Sequence, residues 1–290
     1  MSRKGLLLFL ACGIAWGIPY FFIRFAVLDF SVPTIILFRT AIGALVLLPV
    51  AHRRKSLVPA LRAWKTVIAF ALLEMVGPWW LINSAEHGHI NSGLAGLLIA
   101  TVPFFAMAVG YFYLGDKSSA HPKNVVGLVI GFAGLLLLVG IDSLTGNLEL
   151  IWVGAMILAA LGYTLAPAIA TKTAPDVEFT GILALSMVLT AAIYAIPAAI
   201  TPLAANVTTP HLMGWISLLI LGVVCSALAF VLYFALIQEV SFSRASLITY
   251  VNTAVAIFMG VLWGAEPFTL GMAVGLPLVA VGSYFASRKH

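Results

Sequence analysis

Long, uninterrupted apolar runs dominate the sequence and restrict what the chain can fold into. One of them, Gly127–Gly140, reads GLVIGFAGLLLLVG and contains no charged residue. A helix that crosses a bilayer needs about 20 mainly apolar residues. A membrane β-barrel would instead show short segments of alternating polarity. Because the runs are continuous, we predict an all-α, polytopic membrane protein.

The composition excludes a water-soluble domain. Hydrophobic residues make up 62% of the 290 residues and charged residues only 9%, whereas soluble domains are roughly 45–50% apolar and about 25% charged. The two cysteines, Cys12 and Cys225, lie in apolar runs far apart, which favours small buried side chains over a disulfide. The basic, apolar start resembles a signal peptide, but the apolar stretch continues to Leu28, so we interpret it as an uncleaved first span.

The apolar runs predict ten transmembrane helices, and no soluble domain fits between them. The predicted spans are Gly5–Leu28, Val32–Ala51, Lys65–Ala85, Asn91–Gly115, Asn124–Gly140, Leu150–Thr171, Thr180–Ile200, Leu212–Ile237, Ser243–Ala265 and Leu270–Ser287.

The distribution of basic residues predicts the orientation. Of the 15 Lys and Arg residues, all except Arg24 and Arg39 fall in the terminal segments, in alternate loops or at the span ends next to those loops, on the side that holds the N-terminus. The loops on the other side carry acidic residues instead. The positive-inside rule therefore predicts that both termini are cytoplasmic in the cell membrane. The net charge of +5 then reflects topology, and we expect no binding of nucleic acid.

The two halves of the chain repeat each other. A shift of 150 residues aligns the order of features, including Asp116 with Glu266, each of which closes a span. Each half, residues 1–140 and 141–290, holds five predicted spans. Because five is odd, the second half would enter the membrane from the opposite side. Such a 5+5 inverted repeat is typical of secondary transporters, whose substrate site lies near the midplane between the repeats.

The segments Asn91–Asp116 and Phe242–Glu266 each resemble the small-residue helix, apolar helix and closing acidic residue of an EamA domain. Gly127–Leu138 is similar to that domain's last helix, and Trp16-Gly17 and Phe38-Arg39 also fit. The resemblance covers the chain as two tandem copies. It implies the drug/metabolite transporter superfamily, with ten helices, cytoplasmic termini and export of small metabolites. Within it, amino-acid exporters of the YddG type are a neighbour, although no motif singles them out.

The second copy departs from the family pattern at one place. Pro103 lies in the first copy where the family often has proline, whereas the second copy has Thr253. Symmetric breaking of the two helices is therefore not expected.

Two ionisable residues inside predicted spans are the main functional candidates, because a charge in the bilayer usually faces a cavity or a partner. Glu74 could carry a proton or bind a substrate amine, and the alternative is a protonated carboxyl bonded to a neighbouring helix. Arg39 could bind a substrate carboxylate through its planar guanidinium. Its alternative partners are Glu74 and helix carbonyls.

Aromatic, amide and proline residues in the spans complete the predicted substrate site. Aromatic walls suit apolar groups and can hold an ammonium group by cation–π contact, and a proline frees a backbone carbonyl. The alternatives are core packing and an aromatic belt at the interface. The full set of predicted substrate-binding residues is Trp16, Tyr20, Arg39, Glu74, Pro78, Trp79, Trp80, Asn83, Pro103, Tyr163, Tyr233, Tyr250 and Asn252.

These features predict a secondary transporter that exports amino acids, aromatic ones included, or related small metabolites by alternating access. The alternatives are a drug, amine or nucleoside exporter of the same fold and, less favoured, a membrane enzyme or a channel. No nucleophile–base pair or phosphate-binding loop is evident, so we expect no cofactor and no metal. The expected partners are the small-molecule substrate and the lipid bilayer, and the sequence leaves a monomer or a homodimer open.

Overall fold

The computed structural model describes residues 2–86, 89, 97–139, 150–204, 207–263 and 270–287. These residues are helical almost throughout, and we label the long helical runs α1 to α10 in chain order. They are α1 Arg3–Asp29, α2 Val32–Arg53, α3 Trp64–Ala85, α4 Leu97–Phe112, α5 Pro122–Val139, α6 Leu150–Thr173, α7 Phe179–Ile200, α8 Leu212–Val240, α9 Phe242–Trp263 and α10 Leu270–Ser287. A short helix, Leu57–Arg62, precedes α3, and a 3₁₀ turn, Lys117–Ala120, precedes α5.

Seven of these helices, namely α1, α2, α3, α6, α7, α8 and α9, are long and apolar enough to cross a membrane. The apolar parts of α4, α5 and α10 are shorter, at Leu97–Phe112, Pro122–Leu137 and Ala273–Gly282. The prediction of an all-helical, polytopic membrane protein is confirmed. The first six residues of the predicted fourth span, 91–96, lie outside the described residues, and the count of ten spans stays a prediction.

Several helices are interrupted near the middle of the bundle. In α1, helix Arg3–Gly17 ends at Ile18 and a second helix, Pro19–Asp29, begins, because proline cannot continue the hydrogen-bond ladder of the preceding turn. A π-helical turn, Ala71–Val76, lies in α3, and a second, Val223–Leu228, lies in α8. π turns of this kind leave irregular backbone that is frequent at functional sites.

Helices α4 and α9 are broken at places that do not correspond. In α4, the helix Val102–Phe112 begins with Pro103 in its first turn. In α9, the short helix Phe242–Ala245 is separated from Ile248–Trp263. Around Thr253 the helix is continuous, and the Thr253 hydroxyl donates to the Thr249 carbonyl at 3.0 Å. The asymmetry expected from proline in only one copy is therefore present.

The helix contacts follow a regular pairing. Helix α2 packs along α7, and α5 packs along α10. Helix α1 contacts α8 and α9, while α6 contacts α3 and α4. The two halves therefore correspond helix by helix at a spacing of five: the α1–α8 contact matches α6–α3, and the α1–α9 contact matches α6–α4.

Small residues on α5 allow other helices of the same chain to approach closely. A side chain at Gly131 would collide with the Tyr250 ring, and a Cβ at Gly134 would lie 2.8 Å from Leu278 Cβ. Gly131 and Gly134 therefore allow α5 to pack against α9 and α10.

Polar contacts join the helix ends. Lys4 Nζ lies 3.5 Å from Glu239 Oε2, and Arg54 Nη1 lies 2.6 Å from Glu178 Oε1. We call the end of the bundle that carries these residues the basic end. At the opposite end, His211 Nδ1 lies 2.7 Å from Asp29 Oδ1.

Candidate substrate cavity

A central cavity lies between α1, α2, α3, α4, α6, α8 and α9. Its empty space is about 800 Å³ with the adjoining opening included. Eight of the predicted substrate-binding residues line it, namely Trp16, Arg39, Glu74, Trp79, Asn83, Tyr163, Tyr233 and Asn252. Residues from distant parts of the sequence thus converge on one polar and aromatic surface.

Arg39 joins three helices around the cavity. It projects from α2 and is 8% exposed. Its Nε donates to the Ser226 hydroxyl at 2.7 Å, and one terminal nitrogen donates to the Cys225 carbonyl at 3.4 Å. Its guanidinium carbon lies 3.8 Å from the centre of the Trp79 ring, which is a cation–π contact. The positive charge is therefore held in place by α3 and α8 at the cavity wall.

Glu74 lies in the π turn of α3 and is 5% exposed. Its Oε2 has no hydrogen-bond partner among the described residues. Asn83 lies in the part of α3 that follows the π turn, and its Nδ2 donates to the Trp79 carbonyl at 2.7 Å. The Asn83 Oδ1 likewise has no hydrogen-bond partner among the described residues. Buried polar atoms without partners are costly to a protein. Both residues line the cavity, so a cation or amine bound there would be close to two acceptors that lack a donor.

Aromatic rings form another part of the wall. The Trp16 indole nitrogen donates to the Cys225 carbonyl at 3.0 Å. The Trp16 ring packs against Phe230 and Tyr233, with ring centroids 5.1 and 4.9 Å apart. Tyr163 lines the cavity from α6. This wall can pack against an apolar or aromatic group of a ligand.

Asn252 connects α9 to α1. In the orientation that satisfies its neighbours, its amide nitrogen donates to the Ile248 carbonyl at 2.8 Å and to the Gly13 carbonyl at 3.0 Å. This amide therefore has hydrogen-bond partners on two helices. Ser246 and Thr249 lie near it on the cavity wall.

The structure does not bring the other predicted residues to the cavity wall. Tyr250 is fully buried and donates to the Leu128 carbonyl at 3.0 Å, so it packs α9 against α5. Trp80 is 44% exposed and stacks on Tyr194, because it follows Trp79 by one residue and so faces away from it.

Pro78 and Pro103 also lie elsewhere, and Tyr20 cannot be placed. Pro78 packs towards Gly162 of α6. Pro103 lines a different, smaller cavity. The side chain of Tyr20 lies outside what the structure describes.

Sequence reasoning missed the apolar and small members of the site. Examples are Ile23, Ile82 and Phe230, which resemble ordinary core residues in the sequence. It also missed Ser226, which receives the hydrogen bond from Arg39. A repeat shift of 150 pairs Glu74 with Val224, but the two π turns correspond at a shift of 152, which pairs Glu74 with Ser226. A local alignment of the two spans could have found this serine.

Comparison with known proteins decides the family. The model of the EamA-like transporter family matches residues 3–140 and 150–288. The chain belongs to the EamA-like transporter family. The resemblance inferred from the sequence is confirmed, and the chain is a membrane transporter and a multi-pass protein of the cell membrane.

Curated relatives of this EamA-like chain carry transporter names. The chain is 29% identical over 286 residues to the uncharacterized inner membrane transporter YedA of Escherichia coli strain K12, covering 95% of this chain and 90% of the relative. It is 27% identical over 282 residues to the uncharacterized transporter YvbV of Bacillus subtilis strain 168, covering 95% and 89%. A transporter rather than an enzyme is what both names support.

A solved crystal structure shares the fold of this EamA-like chain. It superposes with a TM-score of 0.80 and 17% sequence identity, covering 99% of this chain and 97% of the other. At this identity the likeness shows the fold alone.

Proposed function

We propose that this transporter exports amino acids, or related small metabolites that carry both an amine and a carboxylate, through the central cavity. The observation that carries the proposal is the placing of Arg39 and Glu74 on one cavity wall, both nearly buried. A substrate carboxylate would be received near Arg39, and a substrate ammonium would meet the unpartnered Oε2 of Glu74.

The aromatic wall favours substrates with a large apolar side chain. Trp16, Phe230 and Tyr233 form a continuous aromatic surface beside the two charges. Stacking and edge-to-face contacts with such rings add to simple burial of apolar area. Amino acids with aromatic side chains are therefore the first substrates to test, and a drug, amine or nucleoside is the alternative for the same cavity.

The proposed transport cycle is alternating access by two inverted repeats of five spans, with both termini in the cytoplasm. The contacts of α1 with α8 and α9 correspond to those of α6 with α3 and α4. This correspondence supports the cycle, because two repeats of the same fold can adopt each other's packing. The position of Lys4, Arg54 and Lys172 at one end supports the orientation.

Counterflow in proteoliposomes tests the substrate class. Vesicles containing the purified full chain are loaded with unlabelled amino acids, and labelled tryptophan, threonine, methionine and lysine are added outside one at a time. We expect accumulation of labelled tryptophan above empty liposomes, since a carrier exchanges substrate across the membrane. Absence of accumulation of all four by folded, inserted protein would contradict the amino-acid assignment, and amines, nucleosides and drugs would then be tested.

Glu74 is the candidate for coupling transport to protons. The substitution Glu74→Gln keeps the size and polarity of the side chain but removes its ionisation. If Glu74 carries the proton, tryptophan transport depends on pH in the unmodified chain and is independent of pH in the variant. A pH dependence that survives in the variant would show that Glu74 is not the proton carrier. Glu239→Gln, at the basic end outside the cavity, is the control for loss of a carboxylate.

A further inference from the structure

A second cavity lies at the basic end of the bundle, between α4, α5 and the turn that joins α8 to α9. Its empty space is about 290 Å³ with the adjoining opening included, and we call it the α4–α9 pocket. Its polar wall comes from Asp116, Ser118, Asn124, Ser241, Ser243 and Arg244. The pocket therefore concentrates charged and hydrogen-bonding groups at the basic end of the bundle.

Arg244 is a nearly buried cation with few partners. It is 8% exposed, and its recorded hydrogen bond is a long one, from Nη1 to the Val240 carbonyl at 3.4 Å. Among the described residues it forms no ion pair. Buried arginines are normally paired, and the planar guanidinium fits a carboxylate with two parallel hydrogen bonds. The guanidinium can therefore receive the carboxylate of a ligand.

The same pocket offers acceptors. Asn124 is 5% exposed, and its Oδ1 has no hydrogen-bond partner in the described part of the chain, although its amide nitrogen donates to the Ser118 carbonyl at 2.9 Å. Asp116 adds a negative charge, with Oδ1 accepting from the Ser118 backbone at 3.1 Å. An ammonium group would satisfy the free asparagine oxygen and lie beside a carboxylate of opposite charge.

The α4–α9 pocket repeats the chemistry of the central cavity. Each combines an arginine, a carboxylate and a buried asparagine whose Oδ1 has no partner: Arg39, Glu74 and Asn83 in the cavity, Arg244, Asp116 and Asn124 in the pocket.

Consecutive residues of the same helices line the two spaces. Val102 lines the cavity and Pro103 lines the pocket, while on α9 Ile248 lines the cavity and Leu247 the pocket.

We propose that the α4–α9 pocket is a second binding site for a zwitterion, with the carboxylate at Arg244 and the ammonium at Asp116 and Asn124. It binds substrate on the side of the basic end before the substrate moves to the central cavity. The inference rests on the proposed function, since it assumes that the exported molecule carries both groups. The groups of this site match the amino and carboxylate groups common to all amino acids, so this site would select the class and the central cavity the side chain.

Sided kinetics test this site. Vesicles of known orientation are used to measure KM for tryptophan applied at the basic end and, separately, at the opposite end. Arg244→Gln removes the charge-assisted hydrogen bonds between the guanidinium and the substrate carboxylate. It should therefore raise the KM at the basic end by about tenfold or more. The KM at the opposite end should stay within about twofold. Asp116→Asn should act on the same side, and Arg244→Lys, which keeps the charge, should act more weakly.

Lys123→Gln is the matched control, because Lys123 is exposed at the same end and does not line the pocket. Equal KM changes on both sides for Arg244→Gln, or none on either side, would overturn the proposal. So would an effect that vanishes in vesicles of phosphatidylcholine alone, since the pocket would then hold an anionic lipid headgroup.

An equilibrium measurement separates this inference from the proposed function. Labelled tryptophan is titrated against the purified full chain in detergent, with Arg244→Gln and Glu74→Gln as variants. Two binding sites, one lost in each variant, support the pocket even if counterflow fails. One site that survives Arg244→Gln and is lost in Glu74→Gln leaves the transporter assignment intact and overturns the second site.

Discussion

Helices α3 and α8 contain the same irregularity but use it differently. Each has a π turn of six residues, Ala71–Val76 in α3 and Val223–Leu228 in α8. In α8, the Cys225 carbonyl accepts hydrogen bonds from Trp16 and Arg39. In α3, a side chain at Gly162 would collide with the Leu73 carbonyl, which corresponds to Cys225. The Cys225 carbonyl thus accepts hydrogen bonds from two side chains, whereas the Leu73 carbonyl packs against the backbone at Gly162.

The side chains differ in the same way. Ser226 of α8 accepts a hydrogen bond from Arg39, whereas the corresponding Glu74 of α3 has an oxygen without a partner among the described residues. The repeat therefore supplies matching geometry, while substitution within it leaves one turn satisfied by the protein and the other open to a ligand. Many transporters built from internal repeats form their substrate sites at such irregular helices.

The largest effect is expected from removing the arginine that α8 holds. Arg39→Gln removes the charge-assisted bond to Ser226, the cation–π contact with Trp79 and the positive charge that interacts with Glu74. We expect the initial rate of transport to fall about 50-fold or more, since hydrogen bonds to charged groups contribute about 1.5–3 kcal/mol each. Counterflow of labelled substrate measures it.

Arg24→Gln is the control for this variant, because Arg24 lies on α1 and its side chain is exposed. Transport should remain near the unmodified rate. If Arg39→Gln also transported near that rate, and gel filtration showed that the variant is folded, the α8 contacts of Arg39 would have no part in transport.

A second, smaller effect is expected on stability where α6 meets the π turn of α3. In Gly162→Ala, the new methyl group would collide with the Leu73 carbonyl and lie 3.0 Å from Pro78. Overpacking of this kind costs about 1–3 kcal/mol, so thermal unfolding in detergent should occur at a lower temperature. Gly154→Ala, on the same helix with no atom within 4 Å of the added Cβ, should be neutral or slightly stabilising. Equal Tm values for the two variants would contradict the close approach.

The sequence was sufficient to predict the class of fold and most of the charged and aromatic cavity wall. Arg39 and Glu74 stand out in the sequence because an ionisable residue inside an apolar span is costly and usually faces a cavity or a partner. The prediction for Tyr250 differed from its position because a helix face cannot be assigned from one residue, and Gly131 provides the space that the ring fills. Trp79 and Trp80 are adjacent and aromatic, yet only contacts with neighbouring helices decide which one faces the cavity.

The contacts of the α8 turn could not be predicted. Cys225 takes part through its backbone carbonyl, and no side-chain pattern signals a carbonyl freed by a π turn. The α4–α9 pocket was missed for a related reason. Asp116 and Arg244 were interpreted through span boundaries and orientation, and the fold brings them together from residues far apart in the sequence.

The smallest effect is expected from the indole that binds the Cys225 carbonyl. Trp16→Phe keeps an aromatic ring beside Phe230 and Tyr233 but removes the hydrogen bond of 3.0 Å. A neutral hydrogen bond contributes about 0.5–1.5 kcal/mol, so substrate affinity should fall by a few-fold, measured by titration of labelled tryptophan. Trp80→Phe, at a half-exposed ring outside the cavity wall, should bind as the unmodified chain does. If both variants bound equally well, the donors on the α8 carbonyl would not organise the site, and the contrast between the two π turns would depend on Arg39 and Glu74 alone.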